Sequence, residues 1–161
     1  VNLVVLAPQW LALVLIVLLV AASVEDCVRL RISNIIVVLV LAAAIAAAIA
    51  VEPEPRLWQN LLVFVGLLAI GTPMFAAGKL GGGDVKLLAA VGLWFDLMGA
   101  FRMIMAVALA GGALALFIIA LRSFNLSEAA RQRVIVLRPK GGIPYGVAIA
   151  AGALFAMALQ R

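Results

Sequence analysis

Two aspartates stand out in a chain otherwise apolar enough to dissolve in lipid. Asp84 follows three glycines in Gly81-Gly82-Gly83-Asp84-Val85-Lys86, and Asp26 lies between Glu25 and Cys27. An ionisable side chain among apolar segments is costly and by default marks function. Glycine admits positive φ and lets a second backbone come close, so this frame suits a carboxylate presented to a peptide-sized ligand. The plainer alternative is a glycine-rich turn in which Asp84 caps the next helix. For Asp26 the plainer alternative is a loop acid paired with Arg29 or Arg31. Together the two acids define a chemistry: neighbouring carboxylates cannot both ionise readily, so they share a proton. The charged member activates a water, while the protonated one polarises a scissile carbonyl and later supplies a proton to the leaving amine. That chemistry needs neither metal nor histidine. The sequence has no histidine and a single cysteine, Cys27, which leaves no His-based catalysis, no internal disulfide and no Cys-cluster zinc site.

The elements that must hold these acids are apolar. Hydrophobic residues make up 68% of the 161 positions and the mean hydropathy is +1.30, well above the roughly 45–50% apolar content of soluble domains. We read one membrane-embedded domain over residues 1–161, all-α and polytopic, with about six transmembrane helices. The apolar segments cover residues 3–24, 35–51, 57–77, 85–95, 103–121 and 143–159. The first is read as an uncleaved helix, because it lacks a basic n-region. Glu25 to Asn34 reads as a polar connection, which puts Asp26 just after the first helix. Thr72-Pro73 predicts a kink near the end of the third span. Residues 78–84 form the central loop, so the glycine–aspartate motif immediately precedes the fourth segment. That segment of 11 residues reaches only roughly 16 Å as a helix, against a hydrocarbon core roughly 30 Å thick. Either it continues through Asp96, or Asp84 sits below the membrane surface in a protein-lined or wet cavity. Asp96 and Arg102 read as an external turn, and residues 127–137 as an interfacial amphipathic helix.

Loop charge sets the orientation. Arg29 and Arg31, Lys79 and Lys86, and Arg122, Arg131, Arg133, Arg138 and Lys140 fall in the first, third and fifth loops; Arg56, Arg102 and Arg161 fall on the other side. The positive-inside rule makes the odd loops cytoplasmic and both termini non-cytoplasmic. Asp26 and Asp84 then share the cytoplasmic face. A net charge of +5 held in loops suits a bilayer partner and no nucleic acid. Lys86 has two readings, orienting a carboxylate or meeting lipid phosphate. Glu25 reads as a solvated loop acid and Cys27 as an inert thiol.

These residues resemble the type IV prepilin peptidases, membrane aspartic proteases of the GxGD type. Gly81-Gly82-Gly83-Asp84 reads as GxGD, followed by the family's usual Val85-Lys86-Leu87. Asp26 to Asn34 resembles the first-aspartate motif, an Asp followed eight residues later by the Asn of Ile-Pro-Asn, here Ile32-Ser33-Asn34. Gly142-Ile143-Pro144-Tyr145-Gly146 resembles the start of the family's last helix. The resemblance implies Asp26 and Asp84 as the catalytic pair, with Gly81, Gly83, Asn34 and Lys86 shaping the loops or binding substrate, and no metal or cofactor. It implies a prepilin or pseudopilin precursor as substrate, with a short basic leader and a hydrophobic helix, cut at the cytoplasmic face of a bacterial inner membrane. The paired Cys-x-x-Cys insertion of the bifunctional members is missing, so the chain is similar to the short, peptidase-only branch of tight-adherence (Flp-type) pilus systems, and N-methyltransferase activity is not implied. Alternatives left open are a preflagellin-type peptidase of the same fold, a non-enzymatic assembly subunit, and a transporter using the two aspartates as cation sites.

Overall fold

The computed structural model describes residues 1–51, 54–123 and 142–160. Among them the chain forms seven helices: α1 (Leu3–Leu6), α2 (Gln9–Arg29), α3 (Asn34–Ala50), α4 (Trp58–Ala76), α5 (Gly82–Gly92), α6 (Leu97–Ser123) and α7 (Tyr145–Gln160). Three of these, α2, α4 and α6, are long and apolar enough to cross a membrane, and α3 and α7 are shorter apolar helices. The architecture is all-helical and that of a multi-pass membrane protein. Its outer surface agrees: Val17, Ile49, Ile70, Leu109 and Leu116 are all exposed, an apolar coat that water would penalise and hydrocarbon accepts.

Helix boundaries differ from the sequence expectation where local chemistry decides. Residues 3–24 do not form one helix. Pro8 restricts the residue before it to extended backbone, so Ala7 (ψ 154°) ends α1 and Pro8 precedes α2. At its other end α2 continues past Val24, because nothing in Glu25-Asp26-Cys27-Val28-Arg29 opposes a helix. It stops at Leu30, which takes a left-handed conformation (φ 51°) and donates its N–H to the Asp26 carbonyl at 2.8 Å. Asp26 therefore sits in the last turn of α2, not in a loop. Ser33 opens α3, its Oγ accepting from the Ile36 N–H at 3.4 Å. Pro73 is accommodated within α4.

The fourth segment also shifts. Helix α5 begins at Gly82, so Asp84 lies in its first turn. Asp96 and Arg102 do not form an external turn. Asp96 opens α6, with Oδ1 accepting from the Gly99 N–H at 2.7 Å, and Arg102 lies within that 27-residue helix. The amphipathic segment expected over residues 127–137 lies outside the described residues.

Packing centres on α5 and α7. The most extensive contacts pair α6 with α7 and α4 with α5, followed by α2 with α7 and α3 with α5, while α4 and α6 touch only briefly. Trp94 and Phe95, just beyond α5, are fully buried, and so are Leu15, Leu19, Leu87 and Met103. The Asn60 side chain donates to the Leu93 carbonyl at 3.0 Å, tying the start of α4 to the end of α5. Helix α7 packs so tightly on α6 that a Cβ on Gly152 would overlap the Val107 backbone. These contacts gather the end of α2 and the starts of α3, α5 and α7 at one end of the bundle.

Candidate active site: two carboxylates on one cavity

Asp26 is nearly withdrawn from solvent, 4% exposed. Its Oδ2 accepts a hydrogen bond from the Gly146 N–H at 2.6 Å. Gly146 is the second residue of α7, where backbone N–H groups have no partner within their own helix and the macrodipole favours an anion. The approach depends on glycine: a Cβ at position 146 would lie 2.9 Å from that Oδ2 and 2.9 Å from Ile32 Cδ1. Arg29, one of the partners considered for Asp26, pairs instead with Glu25 at 3.7 Å.

Asp84 is half-buried, and its Oδ2 accepts from the Gly81 N–H at 3.2 Å. This is the capping contact weighed as the plainer reading, and it coexists with a place on the cavity. The glycines before Asp84 do not use positive φ; among the described residues the glycine with positive φ is Gly78, at 69°. They act through space. A Cβ on Gly81 would meet Asp84 Oδ2 at 2.6 Å, and one on Gly83 would meet the Ile32 carbonyl oxygen at 3.1 Å. The Gly83 contact is the close approach that brings the start of α5 against the loop following Asp26.

Asp26 and Asp84 thereby line one open cavity of about 380 Å³, with Leu30, Arg31, Ile32 and Gly81 to Gly83 completing the wall. Asp84 lies outside the three candidate spans. Burial, and then the neighbouring Asp26 carboxylate, push its carboxyl up to about 6 against the opposing pull of the Gly81 N–H. Lys86 bonds neither aspartate; its Nζ donates to Asn34 Oδ1 at 3.1 Å and joins the starts of α5 and α3. Gly81 and Gly83 line the cavity, whereas Asn34 and Lys86 are not among its lining residues and bond to each other instead. Glu25 is not a free loop acid: its Oε2 accepts from the Ser33 N–H at 2.9 Å. That N–H exists because position 33 is serine; proline has none. Cys27 is exposed. No set of three or more His, Cys, Asp or Glu side chains that could hold a metal ion gathers among the described residues.

The residue missing from the sequence-based site is Gly146. Its motif was visible, but nothing in the motif says that its N–H points at an acid 120 positions earlier.

A helical membrane protein with two acids on a cavity at one end of the bundle is a recognisable class. The family model for the type IV leader peptidase family matches residues 13–119, and the chain belongs to that family. The matched stretch contains both aspartates and ends before α7, which supplies Gly146. Neither the curated proteins nor the solved structures include a match to this chain.

Proposed function

We propose that this chain is a membrane aspartic endopeptidase that removes the short basic leader from prepilin-like precursors at the cytoplasmic membrane face, with Asp26 and Asp84 as its catalytic pair. The observation that carries this reading is the shared cavity, in which both carboxylates face the same space. One proton is shared between them. The ionised carboxylate takes a proton from water as its oxygen attacks the scissile carbonyl carbon, and the protonated one hydrogen-bonds the carbonyl oxygen. When the tetrahedral intermediate collapses, the C–N bond breaks and the leaving amine takes up a proton from the pair. Gly146 and Gly81 hold the two acids in place through their N–H groups. Arg29, Arg31, Lys79 and Lys86 flank the cavity end of the bundle, and by the positive-inside rule this supports a cytoplasmic site.

The test is cleavage of a prepilin by the purified protein, followed by mass spectrometry of the product. Asp26→Asn and Asp84→Asn are each expected to lower the rate by several orders of magnitude, and the double variant should be little worse, because the pair acts as a unit. With a methyl donor present, the new N-terminus is expected to stay unmethylated, since the 161 residues hold no paired Cys-x-x-Cys. A well-expressed Asp84→Asn protein that cleaves at the parent rate would end the aspartic reading.

A further inference from the structure

A second cavity meets the first at Asp84. It is an apolar groove of about 460 Å³ between the α4–α5 pair and the α6–α7 pair, where α4 and α6 diverge. Ile70 and Met74 form one wall, Leu88 part of the floor, and Ala108, Gly112 and Ala115 the other wall. Asp84 is the only carboxylate among the described residues lining it. On α6 the lining runs from Ile104 to Ala115, roughly 16 Å or three turns of helix.

Lipid would fill an apolar groove by default, but hydrocarbon against Asp84 leaves a carboxylate facing a medium that cannot solvate it. The N-terminus of a helix does better. Its first N–H groups have no internal partner and carry the positive end of the macrodipole. The small residues at 108, 112 and 115 let such a helix approach the α6 backbone closely. Because Asp84 belongs to both cavities, whatever fills the groove is continuous with whatever lies across the two acids.

We infer that this groove seats the apolar helix of the substrate, with the helix N-terminus at Asp84 and the scissile bond immediately before it. This inference rests on the peptidase reading and adds where the substrate's helix lies.

The glycines supply a matched test. A Cβ on Gly112 meets nothing within 4 Å, and the same holds for Gly66, a residue of α4 that does not line the groove. Gly112→Leu adds bulk at the groove from a Cβ position free of neighbours; Gly66→Leu adds the same bulk elsewhere. Two substrates are offered to the full chain in bilayers: a precursor with its apolar helix, and a soluble peptide spanning only the leader and the cleavage site. On the helical precursor, Gly112→Leu is expected to lose about tenfold or more in kcat/KM, chiefly through KM, while Gly66→Leu stays near the parent. On any soluble-peptide cleavage the parent shows, Gly112→Leu is expected to match it. Equal rates for the two variants on the helical precursor, at whatever level, overturn the groove assignment and leave lipid as its occupant. Equal slowing of both substrates by Gly112→Leu also overturns it, since that marks a distorted carboxylate site. Failure of the unsubstituted protein on the helical precursor sinks the peptidase reading itself.

Discussion

At the scale of single residues, Asp84 carries a consequence that can be titrated. Its carboxyl is raised from the usual carboxylate range to about 6. Between about pH 4 and 6 the folded protein holds a proton there that the unfolded chain has released. Stability contributed by this group is therefore present at low pH and is lost as pH rises through the folded value. Asp84→Asn removes the ionisable group, so it is expected to raise the melting temperature at about pH 8 and to change it little at about pH 4. Catalysis should follow the same proton. Prepilin processing is expected to fall as pH rises through about 6, and to fall again in acid, where both members are protonated, with the limbs belonging to the pair. A rate flat from about pH 5 to 8 would count against a shared proton.

Among elements, the close approaches decide whether the two acids meet. Gly83 lets α5 lie against the Ile32 backbone. Gly83→Val is expected to push α5 away, costing about 1–3 kcal/mol and lowering processing far more than it lowers expression. Comparing denaturation midpoints with cleavage rates checks it; unchanged cleavage would mean that the contact does not set the site. This scale also separates what was legible in the sequence from what was not. Long apolar runs announced the helices, and the glycines before Asp84 announced a close approach of backbones. Glu25 to Asn34 reads as a polar connection, which puts Asp26 in a loop, yet polarity does not end a helix; Leu30 in a left-handed turn does. The glycines were legible as special, but their service through proximity instead of positive φ required the neighbour Ile32, which no local pattern names. Glu25 looked solvated because its partner is a backbone N–H eight residues on.

For the molecule as a whole, the proposed orientation, with the cavity end and its arginines and lysines in the cytoplasm, can be tested directly. A cysteine introduced near Lys140, in a Cys27→Ser background, is expected to resist an impermeant thiol reagent added outside intact cells. It should label once the membrane is opened. Ready labelling from outside would invert the topology and put the cavity on the wrong side for a precursor emerging from the ribosome.

The hydrogen bond from Gly146 to Asp26 joins the second helix to the last, across 120 positions, and this makes the site a latecomer in biosynthesis. At roughly 5–20 residues per second, several seconds separate the appearance of Asp26 from that of the N–H that pairs with it. Until α7 inserts, the buried carboxylate has no such donor and the cavity lacks the element that anchors it. Residues 1–123 expressed alone, although they include the whole family-matched stretch, should not process prepilin. Co-expression of residues 124–161 should restore processing, and activity of the first fragment by itself would show that the last helix is dispensable to the chemistry.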